Sequence, residues 1–233
     1  MSFNIKPLNL TTYKTIVFDC DGVVLNSNKI KVDAYYAVAK RMGGSDDEAK
    51  AFVHHHVTKG SFPRNGKIEY YLNEIVKQPI TTEIMQQYLE AFEDILDKSL
   101  MQCEIAPALL ALKKATPQAR WMLLSGGDQA ELRRVFPRRN IEGHNLAQLF
   151  EAGIFGGPDQ KDDVLAREIA KGNIQFPALF VGDSKYDHQA AVKAGLDFVF
   201  LSGWTEVRDW QEYCATHQVF ALDSILQLIK PNY

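Results

Sequence analysis

The sequence has few cysteines and no long apolar run. Its three cysteines, Cys20, Cys103 and Cys214, are widely separated and lack any C-x-x-C spacing, so neither a disulfide framework nor a zinc knuckle is indicated. No apolar stretch approaches the roughly 20 residues needed to cross a bilayer. The opening "MSFNIKPLNL" lacks the long apolar segment of a secretory signal. We therefore expect no membrane contact and a cytoplasmic location.

An excess of positive charge is also missing. The formal net charge is -3 at pH 7, so the chain as a whole does not attract nucleic acid, which is not expected as a partner. One local basic patch, formed by Arg133, Arg134, Arg138 and Arg139, is interpreted as the solvated end of a helix. The sequence gives no indication of an oligomeric state.

The first part of the chain has a helical pattern. Hydrophobic residues make up 46% of the 233 residues, enough for a substantial core. Between residues 28 and 100 they recur at helical spacing, as in "EIMQQYLEAFEDILDKSL". The segment "SDDE", from Ser45 to Glu48, has the spacing of a capping box. No convincing strand pattern interrupts this block.

After Cys103 the pattern alternates between helices and short apolar strands such as "PALFVG". This alternation predicts a parallel sheet covered on both faces, which the early strand "TIVF" must join. We therefore predict an α/β fold with a Rossmann-like parallel sheet core and an inserted all-helical cap domain. The predicted core domain is residues 1–25 and 104–233, and the predicted cap domain is residues 26–103.

Two acids, Asp19 and Asp21, follow the first strand directly in "TIVFDCDGVV", and Gly22 behind them allows the chain to turn. Buried carboxylates are costly unless something positive compensates them. The carboxyl ends of strands are where open α/β sheets bind ligands. This stretch alone fits a solvated acidic turn equally well.

The second strand of the predicted sheet ends in "LLSGGD". We place Ser125 at the strand end, Gly126 and Gly127 in a turn, and Asp128 at the N-cap of the next helix. A hydroxyl and free backbone N–H groups near a helix start can hold a phosphate oxygen. Ser-Gly-Gly is also an ordinary turn.

Two more acids follow a later strand in "FVGDSKYD". Asp183 is hard to explain structurally, whereas Asp187 lies at capping-box spacing from Ser184 and could simply be a helix cap. Lys161 precedes another helical pattern, where a lysine is unfavourable beside the helix dipole and is better explained by a ligand.

Parallel strands bring these groups to one sheet edge. Clustered carboxylates repel one another, and a hard divalent cation such as Mg²⁺ with oxygen ligands is the simplest remedy. The cation and Lys161 would then favour a phosphoryl group.

In this order the motifs resemble the haloacid dehalogenase-like superfamily, in its branch with a helical cap, which includes phosphoglycolate phosphatases and β-phosphoglucomutases. "FDCDGVV" is similar to the first motif, Ser125 to the second, Lys161 to the third and "GDSKYD" to the fourth. The resemblance covers nearly the whole chain. Asn26 departs from the pattern, because many relatives have an acid there.

The resemblance implies a role for each of these residues. Asp19 would be the nucleophile, and Asp21 the general acid and base. Mg²⁺ would be held by the Asp19 carboxylate, the Asp21 backbone carbonyl and Asp183, with Asp187 either supporting a metal-bound water or orienting the other ligands. Phosphate would be bound by Ser125, the Gly126 N–H group and Lys161.

The expected function is therefore an Mg²⁺-dependent phosphatase that hydrolyses a small phosphorylated metabolite, a sugar phosphate or a phosphorylated acid, through an aspartyl-phosphate. A phosphomutase of the same superfamily is the alternative, because it uses the same paired acids. A dehalogenase is less expected, since that branch lacks the acid at Asp21, and a non-catalytic phosphate-binding protein is less expected again.

Leaving-group contacts are expected in the cap. Gly60, Pro63 and Gly66 predict a loop in "KGSFPRNGKIEYYL". Arg64 in this loop is a candidate for binding a carboxylate or second phosphate, with Lys67 adding charge; a solvent-exposed arginine is the alternative. The run "HHH" at residues 54–56 does not have the i, i+3 or i+4 spacing of helical metal ligands and is interpreted as partly exposed cap surface.

Overall fold

The computed structural model describes residues 8–59 and 64–229. The strands in this part of the chain are β1 (Thr15–Phe18), β2 (Arg120–Asp128), β3 (Asn140–Ile141), β4 (His144–Asn145), β5 (Ile154–Gly157), β6 (Ala178–Gly182), β7 (Asp197–Leu201) and β8 (Phe220–Leu222). Six of them form one parallel sheet in the order β5-β2-β1-β6-β7-β8. The β3–β4 pair is separate and antiparallel.

The composition of β1 explains its central place in the sheet. All four of its residues are buried, and β-branched and aromatic side chains suit a strand covered on both faces. Successive side chains point to opposite faces. Ile16 and Phe18 accordingly pack into one hydrophobic cluster and Val17 into another.

Helices cover both faces of the sheet and form the block between β1 and β2. They are α1 (Asn28–Arg41), α2 (Asp46–Lys59), α3 (Arg64–Tyr70), α4 (Thr82–Gln102), α5 (Leu109–Ala115), α6 (Gln129–Val135), α7 (Lys161–Ala170), α8 (Lys185–Ala194), α9 (Trp210–His217) and α10 (Ile225–Ile229). A π-helical turn over Tyr71–Val76 continues α3. The predicted α/β fold with an inserted helical cap is confirmed.

The cap has an aromatic interior. Tyr35, Phe52 and Phe92 pack edge to face, and Phe52 also stacks on Tyr71 with ring centroids 4.2 Å apart. Such contacts supply much of the burial that holds a small helical unit together. The capping box at the start of α2 is confirmed, since Ser45 and Glu48 bond each other through side chain and backbone. None of the described helices has the length and apolar character needed to span a membrane.

Two chain segments connect the cap to the sheet, and they run side by side. The Asn26 N–H group donates to the Glu104 carbonyl at 2.9 Å, and the Ala106 N–H group donates to the Val24 carbonyl at 2.9 Å. This pairing is compatible with the domain division predicted at residues 25/26 and 103/104, which stays a prediction.

The basic patch lies at the contact between cap and core. Its interpretation as a solvated helix end holds for Arg133, which is exposed in the last turn of α6, but is wrong for Arg139. Arg139 is buried and donates to the Leu100 carbonyl at the end of α4. Arg134 and Arg138 bind Asp97, one turn earlier on the same helix, at 3.2 and 3.0 Å. The last carbonyls of a helix have no partner within the helix, and Arg139 supplies one.

Candidate active site

The carboxyl ends of the central strands place the first acid beside groups from other strands. β1 lies between β2 and β6, and Phe18 is in register with both Leu123 and Val181. The Asp19 N–H group still donates to the Val181 carbonyl at 2.9 Å. Residues that follow these strands therefore meet at one edge of the sheet.

Three acids form a buried cluster at this edge. Carboxylate oxygens of Asp19, Asp183 and Asp187 all lie within 4.8 Å of one another. Lys161 at the start of α7 joins two of them, with Nζ 2.7 Å from Asp19 Oδ1 and 2.5 Å from Asp187 Oδ1. Asp183 instead accepts a hydrogen bond of 2.9 Å from the Asn28 side-chain amide. One ammonium group thus faces three carboxylates.

Burial makes this excess of negative charge unfavourable. It raises the pKa of Asp19 to about 7, and the Asp187 and Asp21 carboxylates add to the rise while Lys161 opposes it. Burial, Asp19 and Asp187 also hold the pKa of Asp183 well above its usual range. The same burial disfavours charge on Lys161, but the Asp187 and Asp19 carboxylates outweigh it and raise the Lys161 pKa. A set of oxygen ligands with surplus negative charge fits Mg²⁺.

The turn after Asp21 brings Asp183 close to the backbone. Gly22 has φ +78°, and a Cβ atom there would collide with Oδ2 of Asp183. Glycine at this position therefore provides both the left-handed conformation and the space that the carboxylate occupies.

Asp187 has two roles. It forms the predicted capping box of α8, with Ser184 Oγ accepting from its N–H group at 3.1 Å and its Oδ2 accepting from the Ser184 N–H group at 3.1 Å. Its other oxygen binds Lys161. Helix capping and membership of the acid cluster are therefore not alternatives here, because each uses one oxygen of the same carboxylate.

Asp21 lies apart from the three-acid cluster and has a different environment. Its oxygens accept from Lys31 Nζ at 2.5 Å, from Ser27 Oγ at 2.5 Å and from Ser125 Oγ at 3.2 Å. Burial alone would raise the pKa of Asp21, but Lys31 and the Ser27 hydroxyl hold it below its usual range. Asp21 is therefore a carboxylate surrounded by donors.

The segment after Ser125 differs from its prediction. β2 continues through Asp128, so the turn predicted at Gly126 and Gly127 is wrong. Its pairing with β5 is irregular between Leu124 and Asp128. Gly126 and Gly127 lie in this irregular part of the strand, beside the site. Ser125 Oγ accepts a hydrogen bond from the Gly127 N–H group at 2.9 Å. Gly126 lines a cleft that lies between the sheet edge and the cap domain.

The predicted N-cap at Asp128 is present, since its side chain accepts from the Glu131 N–H group at 2.8 Å. The N-cap residue Asp128 therefore marks the start of α6, directly beside the cleft. Glu131 is buried in the first turn of α6 and lies opposite the cap domain.

A cleft of about 430 Å³ separates the sheet edge from the cap. The core lines it with acids and with Lys161, Lys185 and Arg208, and the cap contributes Lys31, His56, Arg64 and Lys67. The positive side chains of the cap and the acids of the core thus line the same space.

Arg64 lies in the first turn of α3, so the loop predicted at Arg64 and Gly66 is wrong; Gly60 and Pro63 lie outside the described residues. The Arg64 guanidinium donates to Glu131 Oε2 at 2.9 Å and packs over the Phe92 ring. Arg64 lines the cleft and also bridges cap and core.

Lys67 is 2% exposed, and its Nζ lies 2.9 Å from Nδ1 of His56. Burial, with Lys31 and Arg64 nearby, lowers the pKa of Lys67 to about 7. The interpretation of the histidine run as partly exposed cap surface holds for His54, which is exposed, and for His56, which is half-buried, but is wrong for His55. His55 is buried and stacks on Tyr70, and His56 lines the cleft, because helical rotation points adjacent residues in different directions.

The sequence model of the haloacid dehalogenase-like hydrolase family matches residues 13–195, well over half of the chain. The protein is a haloacid dehalogenase-like hydrolase. The match includes β1, the cap and all members of the acid cluster. No curated protein sequence matches the chain.

Solved structures share the fold of this hydrolase. A family IA, variant 3 hydrolase from Entamoeba histolytica is 16% identical, with a TM-score of 0.68 and coverage of 93% of this chain and 98% of that chain. CbbY from Rhodobacter sphaeroides, solved with phosphate, is 18% identical, with a TM-score of 0.66 and coverage of 93% and 96%. A haloacid dehalogenase-like protein from Streptococcus pneumoniae is 17% identical, with a TM-score of 0.65 and coverage of 94% and 97%.

The sequence analysis missed two residues of the hydrolase, Lys31, which lines the cleft, and Glu131, which binds the cleft residue Arg64. Lys31 on α1 and Glu131 on α6 lie within ordinary helical patterns, and nothing in their spacing sets them apart. Glu131 does carry one local signal, its position three residues after the N-cap Asp128, but that signal predicts a capping role and not a contact with the cap domain.

Removing Arg64 should destabilise the hydrolase. Glu131 is 3% exposed and would be left as an uncompensated buried charge. Arg64→Met should therefore lower the free energy of unfolding by about 3 kcal/mol, measured by urea denaturation. The double variant Arg64→Met/Glu131→Gln should recover at least about 1 kcal/mol of this loss, because no unpaired charge remains.

The matched control is Arg41→Met, whose partner Asp94 lies on the surface of the cap. Solvent-exposed ion pairs contribute little to stability, so the free energy of unfolding of this variant should fall by less than about 1 kcal/mol. Equal losses for Arg64→Met and Arg41→Met would show that the Arg64–Glu131 pair does not bridge the two parts of the molecule in solution.

Proposed function

We propose that the protein is an Mg²⁺-dependent phosphatase that hydrolyses a small phosphorylated metabolite through an aspartyl-phosphate. The observation that carries the proposal is the buried cluster of Asp19, Asp183 and Asp187 around Lys161, with Asp21 beside it. The family match and the phosphate complex of the structurally similar CbbY support it. A cleft of about 430 Å³ suits a small-molecule substrate.

In the first step, an oxygen of Asp19 attacks phosphorus in line. The new Asp19–phosphorus bond forms as the bond from phosphorus to the leaving oxygen breaks, and Asp21 gives that oxygen a proton. Since Lys31 holds Asp21 as a carboxylate, Lys31 has to release Oδ2, and Asp21 has to take a proton from solvent before it can give one to the leaving oxygen. The leaving group then departs as an alcohol.

In the second step, water attacks the phosphorus of the aspartyl-phosphate. Asp21 takes a proton from this water, and the bond between Asp19 and phosphorus breaks to release inorganic phosphate. The Asp21 carboxylate, bound by Lys31 and Ser27, is already in the ionisation state that this step needs.

Mg²⁺ would be held by the Asp19 carboxylate, the Asp21 backbone carbonyl and Asp183, with Asp187 supporting the site. When bound, the cation offsets charge on the phosphoryl oxygens. Lys161, Ser125 and the Gly126 N–H group would bind the remaining phosphoryl oxygens. Phosphoryl transfer depends mostly on such positioning and charge stabilisation.

Phosphate release from p-nitrophenyl phosphate tests this function. We expect activity with Mg²⁺ that chelation with EDTA abolishes. Asp183→Asn should raise the half-saturating Mg²⁺ concentration by about tenfold or more. Asp187→Asn should raise it less, because part of the Asp187 side chain is committed to capping α8.

Asp163→Asn, an exposed acid in the first turn of α7, is the control and should leave the Mg²⁺ dependence unchanged. Activity that survives EDTA would overturn the role of the cation. The reverse order of the Asp183 and Asp187 variants would overturn their ranking. Conversion of a sugar phosphate to its isomer without free phosphate would identify a phosphomutase instead.

A further inference from the structure

The side chains at the start of α1 bind acids of the core instead of capping their own helix. Ser27, the N-cap residue of α1, makes no side-chain cap hydrogen bond, and its hydroxyl donates to Asp21 Oδ1 at 2.5 Å. The side-chain amide of Asn28, the first residue of the helix, donates to Asp183 Oδ2 at 2.9 Å. This contact uses the side-chain nitrogen, whereas helix capping uses a side-chain oxygen. Helix initiation therefore does not account for Asn28.

Both neighbours of the Asn28 amide nitrogen are hydrogen-bond acceptors. Besides Asp183 Oδ2, the nitrogen donates to the Trp204 carbonyl at 2.9 Å, in the loop between β7 and α9. An asparagine NH₂ group has two hydrogens, and each of them is used here. A Cβ atom at Gly22 would collide with this nitrogen, so the arrangement also depends on that glycine.

The main chain of Asp183 is held independently of Asn28. Its carbonyl accepts from Thr205 Oγ at 2.5 Å, and its N–H group donates to Asp187 Oδ2 at 3.3 Å. These bonds leave the carboxylate free to turn about χ2, a torsion with broad wells. Among the described residues, the Asn28 amide is the only hydrogen-bond donor to that carboxylate. Asn28 therefore determines which way the Asp183 carboxylate faces.

An amide is chemically suited to orient a metal ligand. It is neutral, so it binds one carboxylate oxygen without offsetting the negative charge that attracts a cation. Lys161 acts in the opposite way, because its ammonium group offsets the charge of Asp19 and Asp187, to which it is bound. With Oδ2 of Asp183 bound to Asn28, Oδ1 is left for a cation.

We infer that Asn28 is a positioning residue of the metal site, which holds the Asp183 carboxylate so that Oδ1 is presented to the cation. This rests on the proposed Mg²⁺-dependent function. It adds a residue of the cap to a site whose acids all come from the core. Removing a partner of a metal ligand typically weakens metal binding by about 10- to 100-fold.

Calorimetric titration with Mg²⁺ alone tests the inference without any substrate. Asn28→Leu keeps the branched shape of the side chain but has no donor, and we expect it to raise the dissociation constant for Mg²⁺ by at least about tenfold. Asn28→Ala removes the same two hydrogen bonds without adding apolar bulk and should give the same result. Equal dissociation constants for the wild type and both variants would overturn the inference.

The matched control is Asn173→Leu. The Asn173 amide also joins a carboxylate and a carbonyl, those of Glu168 and Ala152, at 3.0 and 2.8 Å, but these residues do not line the cleft. Urea denaturation in EDTA should show similar shifts of the midpoint for Asn28→Leu and Asn173→Leu, with Mg²⁺ affinity changed only in Asn28→Leu. Equal losses of Mg²⁺ affinity in both variants would indicate a general loosening of the fold and would overturn the inference.

A double-mutant cycle shows whether Asn28 acts through Asp183. In the Asp183→Asn background, Asn28→Leu should weaken Mg²⁺ binding by a smaller factor than in the wild type, because no carboxylate is left to orient. The same factor in both backgrounds would show that Asn28 acts independently of Asp183, and would overturn the inference.

These binding measurements separate the inference from the proposed function. Mg²⁺ binding by the wild type that Asn28→Leu weakens supports the role of Asn28 even if no phosphate is released. Phosphatase activity with Mg²⁺ affinity unchanged in Asn28→Leu would overturn the role of Asn28 and leave the proposed function intact. Absence of Mg²⁺ binding by the wild type would overturn both the role of the cation and that of Asn28.

Discussion

Asp19→Asn should lower kcat for phosphate release by on the order of 10⁴-fold or more. The amide is a poor nucleophile and cannot form the aspartyl-phosphate through which the reaction is proposed to proceed. The fold should persist, because the change removes one of three clustered buried carboxylates and so reduces repulsion within the site. Steady-state phosphate release and urea denaturation measure the two effects.

Asp159→Asn is the control, since Asp159 is exposed and pairs with Arg167 on the surface. It should retain wild-type turnover. Wild-type turnover in Asp19→Asn would remove Asp19 as the nucleophile. Loss of folding in Asp19→Asn would instead show that its contact with Lys161 is mainly structural.

Lys161→Met should lower the free energy of unfolding by about 3 to 5 kcal/mol in metal-free buffer, because breaking a buried ion pair leaves uncompensated charge. Lys161 is 2% exposed in its side chain and bonds both Asp19 and Asp187. Without it, three carboxylates share one buried site. Urea denaturation with EDTA measures the loss.

Millimolar Mg²⁺ should restore part of this stability, since a ligand that binds only the folded state stabilises it. Lys193→Met is the matched control, because Lys193 forms an ion pair with Asp162 but is largely exposed, and it should lose less than about 1 kcal/mol. A similar small loss in Lys161→Met, or a loss that Mg²⁺ increases, would contradict the electrostatic account of the cluster.

The parts of the site that lie at strand ends were predictable from the sequence. A fully apolar strand followed at once by Asp19 shows where the chain leaves the sheet. The same holds for Asp183 after β6; Ser125 follows the apolar part of β2, although this strand continues to Asp128 and the predicted strand end at Ser125 is wrong. Because parallel strands align their carboxyl ends, sequence order was enough to expect these three side chains together.

The contacts across the cleft were not predictable in this way. Lys31, Arg64 and Lys67 lie on helices, where one lysine or arginine looks like any other in a sequence. Arg64 was expected in a loop because Gly60, Pro63 and Gly66 suggested one, but helical geometry prevails from Arg64 onwards. The position of Glu131 in the sequence indicates a helix-capping acid. Glu131 meets Arg64 only because the cap domain packs against the core.

The sequence by itself determined the α/β core, the inserted helical block and the acidic edge of the sheet, because periodicity and strand-end residues act over a few neighbouring positions. Only the tertiary structure decided which charges meet across the cleft. The pairing of Asp21 with Lys31 and the placing of Lys67 beside His56 depend on how the cap packs against the sheet. That packing is set by long-range burial, which leaves no local pattern in the chain.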